Sequence, residues 1–150
     1  MGYLDALNIS ASGLSAQRLR MDTIAQNIAN VNTTRDENGD VYRRKTVVFE
    51  ERSQDSFSSM LSSASANDAS NLVGNGVKVS AIVEDHVTQM KKVYDPSNPD
   101  ADDDGYVTYP NVDTVTEMTN LIDASRAYEA NTTAFNATKN MLLKGLEVGQ

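Results

Sequence analysis

The sequence predicts a mainly α-helical fold with a small β region: two long terminal helices pairing as a coiled-coil-like hairpin, with a small antiparallel β unit and a flexible loop between them. Three observations carry this. Apolar residues recur every seventh position at both ends of the chain, a helix-start motif precedes the second recurrence, and between the two the composition turns to Ser, Asn and Gly flanked by alternating apolar stretches. The organisation that follows is an N-terminal helix within 1–33, a central β and loop region over 34–113 with a flexible stretch at 53–76, and a C-terminal helix within 114–150.

At the N-terminal end, Leu7, Leu14, Met21 and Ile28 stand seven apart, with Leu4, Ala11 and Ala25 at intervening positions. This spacing predicts one helix over 4–31, roughly 40 Å long at about 1.5 Å per residue. Ile9 and Leu19 fall off the stripe, so a second face of the helix also has apolar contacts to make. At the C-terminal end Leu121, Tyr128, Phe135 and Leu142 repeat the pattern, with Ala124, Asn131 and Thr138 as second positions. Thr114-Val-Thr-Glu117 reads as a capping box and Gly145 as a C-terminal stop, which predicts a helix over 114–144. Val115, Met118 and Ile122 form a further apolar patch on an adjacent face of its first turns. Ser10-Ala11-Ser12-Gly13 supplies small side chains that permit close helix approach, and an amide at the seam position Asn131 sets register at some cost in stability.

Between the helices, residues 53–76 hold eight Ser, five Asn or Asp and two Gly, the composition of a flexible loop. Strands are predicted over Val41–Phe49 after an Asn38-Gly39 turn, and over Val77–Val83, where Val77, Val79, Ala81 and Val83 alternate. Val87, Gln89, Lys91 and Val93 continue an alternating pattern toward Asp95-Pro96. A lone helix takes most of its stability from packing of an apolar face. Pairing the two terminal helices leaves Ile9, Leu19, Val115 and Ile122 over, so neighbouring subunits are expected to cover them.

The charge balance is 13 basic against 21 acidic side chains, a net −8. A phosphate-backbone binder concentrates Lys and Arg on one face, so nucleic acid is excluded as a partner. The absence of Cys removes disulfides, thiolate metal sites and Cys nucleophiles. The opening Met-Gly-Tyr-Leu-Asp run has no basic segment followed by an apolar one, so a cleaved secretory signal is not expected, and no stretch approaches the roughly 20 apolar residues of a membrane span.

Candidate chemistry is sparse. Asp100, Asp102, Asp104 and Gly105 satisfy the first half of a calcium loop, whose alternating carboxylates converge on the ion. The twelfth position, however, is Asn111 in place of the bidentate Glu, and Pro96 and Pro99 stand where the preceding helix belongs. An acidic surface turn is the expected reading. His86 is the sole histidine, which prevents a two-His metal site or a His dyad within one chain. Arg43-Arg44-Lys45, balanced by Glu50 and Glu51, reads as a charged strand edge. No catalytic, cofactor-binding or metal-ligating residue is nominated, and no cofactor is expected. The alternative function carried forward is a secreted acidic calcium-binding module dimerising through its helices.

Ser12-Gly-Leu-Ser-Ala-Gln17, followed by Arg20-Met-Asp-Thr-Ile-Ala-Gln-Asn-Ile-Ala-Asn-Val-Asn-Thr33, resembles the N-terminal signature of bacterial flagellar rod and hook proteins. Glu117-Met-Thr-Asn-Leu-Ile-Asp-Ala-Ser-Arg-Ala-Tyr-Glu-Ala-Asn131 resembles their C-terminal signature. The segments 42–49 and 94–112 are most similar to the proximal-rod branch of that family. The resemblance implies a subunit of the basal-body rod in the periplasm, exported through the flagellar apparatus without a cleaved signal and without membrane insertion. It also implies contacts with copies of itself, other rod proteins, and components of the basal membrane ring and export apparatus. The assembly interface expected on this basis has Leu7, Leu14, Met21 and Ile28 packed on Leu121, Tyr128, Phe135 and Leu142 around Asn131, with Ile9, Leu19, Val115 and Ile122 meeting neighbours.

Overall fold

A computed structural model describes residues 3–35, 39–52 and 75–148. Two long helices, α1 (Tyr3–Ala29) and α2 (Thr114–Val148), enclose in sequence four strands: β1 (Lys45–Glu51), β2 (Val77–Glu84), β3 (Lys91–Tyr94) and β4 (Tyr106–Tyr109). The strands form two separate antiparallel pairs, β1 with β2 and β3 with β4. The fold is thus the expected one, with the β unit split into two small sheets. Most of the 53–76 segment lies outside the described residues, as does Asn38 of the expected turn.

The helices run antiparallel, and two close approaches define their register. Asn27 Nδ2 donates to Glu117 Oε2 at 2.9 Å. Two heptads back along α1 and two heptads on along α2, a Cβ added to Gly13 would stand 3.0 Å from Asn131 Oδ1. Glycine at 13 therefore lets the helices close on the Asn131 amide, which also donates to Ala127 O in its own helix.

The seam so formed differs from the predicted stripe in its centre. Its fully buried members are Ala16, Thr23, Ile24 and Asn27 on α1, and Glu117 and Ala124 on α2. Leu7, Leu14, Met21, Ile28, Leu121, Tyr128, Phe135 and Leu142 are all half-buried. Apart from Ile24 these seam members are small or polar, and the larger apolar side chains flank them because they need more room between helix axes.

Helix ends depart from expectation for local reasons. The chain leaves α1 at Ala29, two residues early: Asn30 Nδ2 turns back to Gln26 O and Thr33 Oγ1 donates to Asn30 Oδ1, closing a turn that competes with the helix. Asp113, and not Thr114, caps α2. Thr116 Oγ1 donates to Asp113 Oδ2 at 2.7 Å, and this bond, reinforced by the Val115 and Thr116 amides, holds the Asp113 carboxyl below its ordinary range. Glu117 is thereby released from the capping-box role and turns inward. Gly145 does not stop α2 either; the helix continues to Val148, and space around Gly145 is open.

The β1–β2 hairpin lies along α1. Its start is tied to Asn27 and its far end to Ser12, whose Oγ accepts from Val77 N at 3.1 Å while donating to Ile9 O. Gly76, next to this contact, has φ +101°, and a side chain there would run into Ser12 Oγ, so glycine is required twice over. Val47, Phe49, Val77 and Val79 are half-buried, and a bulge between Val48 and Phe49 shifts the pairing. Pairing starts at Lys45, four residues after the predicted Val41. The expected alternation from Val87 forms strand only over Lys91–Tyr94, and it pairs with β4, which the sequence reading treated as acidic loop. Tyr94 and Tyr106 close that hairpin edge to face at 5.3 Å.

Replacing Asp113 by Ala is expected to fray the first turn of α2, seen as faster amide exchange at Val115 and Thr116 with exchange at Ala124 unchanged. Unaltered protection at Val115 and Thr116 would contradict the cap.

Candidate functional site

The most organised chemistry among the described residues is a polar junction where α1, α2 and β1 meet. Asn27 is fully buried and uses all of its hydrogen-bonding capacity. Its Oδ1 accepts from Tyr42 Oη at 2.9 Å and Lys45 N at 2.9 Å; its Nδ2 donates to Lys45 O at 2.8 Å and to Glu117 Oε2. The amide thus stands in for a neighbouring strand, meeting both backbone groups of Lys45 on the open edge of β1.

Glu117 is fully buried as well. Arg44 meets its Oε1 from two nitrogens, Nε at 2.8 Å and the terminal amino group at 2.7 Å. A carboxylate in this position persists because a cation and an amide donor replace its lost hydration. Asn111 completes the junction from the segment before α2: its Oδ1 accepts from Arg44 N, and its Nδ2 donates to Asp85 O and Thr88 O. Burial is the main cause of a raised Tyr42 pKa, with the Glu84 and Glu117 carboxylates adding to it. Lys45 Nζ lies 5.6 Å over the Tyr42 ring. The turn after β2 carries its own carboxylate clasp. Thr88 N and Oγ1 and Val87 N donate to Asp85 and lower its pKa to about 2.

This arrangement joins elements mechanically. A carboxylate satisfied on both oxygens and an amide with every position filled resist displacement, so the junction locks the helix pair to the hairpin. The sequence patterns do not disclose it: Glu117 fits a cap, Arg44 a charged strand edge, and Asn27 stands only as a member of the N-terminal signature. One available signal was a Glu seven residues before Ala124, on the line where the seam demands small or apolar side chains.

The expected assembly residues lie elsewhere. Ile9, Leu19 and Asn131 are half-buried, like the heptad residues, whereas Val115 and Ile122 are 73% and 54% exposed. Of the calcium-loop residues, Asp100 is committed to Thr34 Oγ1 at 2.7 Å and to Arg35 Nε at 3.2 Å, and Asn111 is turned into the junction. No group of His, Asp and Glu suited to a metal occurs among the described residues. His86 is exposed, 4.0 Å from Glu84.

Residues 7–35 match the family described as flagella basal body rod protein, and residues 103–148 match the C-terminal family of the flagellar basal body rod FlgEFG proteins. The chain is 50% identical to the flagellar basal-body rod protein FlgC of Bacillus subtilis (strain 168) over 154 residues, covering 100% of both chains. The chain belongs to the FlgC family of flagellar basal-body rod proteins. FlgC of Borreliella burgdorferi is 41% identical over 100% of this chain and 99% of its own, and that of Salmonella typhimurium 39% over 100% of both. The chain is accordingly a structural rod subunit of the basal body, and the calcium-module alternative has no support. The two matched segments are the ones the junction joins, since Asn27 lies in the first and Asn111 and Glu117 in the second.

Asn27→Ala leaves Lys45 N–H and C=O without partners and should lower stability by roughly 2 to 4 kcal/mol. A double-mutant cycle over Arg44→Ala and Glu117→Gln should show coupling of about 1 to 3 kcal/mol in chemical unfolding. Additive effects would mean that the ion pair does not hold the junction. Because the folded-state pKa of Asp85 is depressed, its clasp is intact above the ordinary value of 3.8 and lost as pH falls through about 2. A carboxyl NMR titration of Asp85 with its midpoint near 4 would refute it.

Proposed function

We propose that this chain transmits torque as a non-catalytic subunit of a tubular shaft in the periplasm, through helix pairs that become fully packed only among neighbouring subunits. The observation that carries this reading is the contrast between core and surface. Among the described residues the buried apolar side chains include Ala16, Ile24, Val107, Val112 and Ala124, mostly small. Val115, Met118, Ile122, Met141, Leu143 and Leu146 of α2 meanwhile remain about half or more exposed. So many exposed apolar side chains on one helix mark an association surface.

A helix pair with so small a core also suits a subunit that travels unfolded through the flagellar export apparatus and gains its final shape at the growing tip. No helix among the described residues is long and apolar enough to cross a membrane. The partners proposed are copies of the chain, other rod proteins, and the basal ring and export components met at the start of the shaft. The domain division at 33/34 and 113/114 separates shaft-forming helices from a central region that fixes their pairing.

Val115→Asp places a charge on a side chain that is exposed in the isolated subunit. Its unfolding free energy should stay within about 0.5 kcal/mol of wild type, while incorporation into purified basal bodies and swimming are lost. Leu14→Asp and Phe135→Asp should abolish incorporation as well, together with monomer stability. A Val115→Asp strain that swims normally, with the subunit present in its basal bodies, would refute the proposed packing.

A further inference from the structure

The two flanks of the helix pair are unlike each other. On one, α1, β1 and α2 enclose a groove of about 290 Å³ in which Ile24, Val47 and Phe49 lie beside the Arg44–Glu117 pair, with Arg20, Thr46 and Asn120 also lining it. Asn120 and the stripe of Met118, Ile122 and Glu129 lie on opposite sides of the α2 wheel at about 100° per residue, with the seam of Glu117 and Ala124 between them. The second flank thus presents a ridge with a carboxylate one heptad beyond Ile122. Met118 and Ile122 are 52% and 54% exposed. Among the described residues neither Arg20 nor Glu129 takes part in an ion pair.

We propose that the groove of one copy receives the α2 ridge of a second copy of this chain, Ile122 entering over Ile24 and Phe49 and Glu129 meeting Arg20. The occupant is identified by complementarity: the groove offers the apolar side chains of Val47 and Phe49 and an uncommitted cation in Arg20, and the ridge offers apolar knobs and an uncommitted anion. Because groove and ridge occupy different flanks, the contact is heterologous. Each copy that receives a ridge still presents its own, so the contact propagates around or along a shaft and does not close as a two-fold dimer. This inference rests on the rod-subunit reading and adds to it the pair of surfaces and their order.

The chain contains no Cys, so introduced thiols report without background. Thr46→Cys/Ile122→Cys is made in the full-length chain, expressed in place of wild type, and purified basal bodies are oxidised mildly. Thr46 on the groove rim and Ile122 on the ridge are too far around the molecule for a bond within one copy, and a disulfide needs Cα atoms within about 7 Å. The expected result is a reducible ladder of dimers, trimers and higher species, with no ladder from either single variant. Monomers alone, a dimer without higher species, or a link to a different rod protein would overturn the proposal while leaving the rod-subunit reading in place. Absence of the wild-type chain from basal bodies would overturn both. Independently, Arg20→Glu and Glu129→Arg should each reduce swarming by about tenfold and restore it when combined; a double variant no better than either single would overturn the charge pairing.

Discussion

A buried carboxylate that must not be left alone governs this molecule. Glu117 sits in the seam between the two helices, fully removed from water, and a charge there is tolerated only while cation and amide donors hold it. Arg44 supplies the cation from the strand side and Asn27 an amide from the opposite helix. Each has a second commitment: the Arg44 backbone to Asn111, the Asn27 amide to Lys45. Helix pairing, strand placement and the approach to α2 therefore form together, since leaving out any one strands a polar group in the interior.

That coupling offsets a core too thin to specify the fold by itself. Ala16 and Ala124 bring the helices close but bury little apolar surface, and Gly13 against Asn131 allows the same closeness nearer the open end. A seam of small residues permits several registers; a charged and amide-bonded one permits few. The Ser12 contact to Val77 holds the far end of the hairpin, so β1 and β2 are pinned to α1 at both ends.

Apolar surface left outside this arrangement includes a set of side chains along α2, beside others on the strands and their connections. In a subunit made to stand alone, Val115, Met118 and Ile122 would be a liability for aggregation. On the proposed reading the same residues are where neighbours attach, and the junction beneath them carries load from one neighbour to the next. In that proposal the labour is divided: hydrogen-bonded polar groups stiffen the subunit, and apolar groups serve association.

The heptads of Leu7 to Ile28 and Leu121 to Leu142 determined by themselves that two long helices would stand at the ends, because a seven-residue apolar recurrence has no stable expression other than a helix with a partner. The two signature segments were likewise sufficient to indicate the family. Which atoms lie at the centre of the seam was settled only by tertiary structure. Glu117 is four residues from a legitimate cap in Asp113, and local rules assign both to the helix start. Asn27 near a helix end and Arg44 in a basic run are each explained locally as well. Their shared role depends on contacts between residues 73 and 90 positions apart, where distance in sequence carries no information about proximity in space. Strand β4 escaped for a related reason: a four-residue strand needs a partner to exist, and its partner β3 lies across an acidic turn that composition alone reads as solvent-exposed loop.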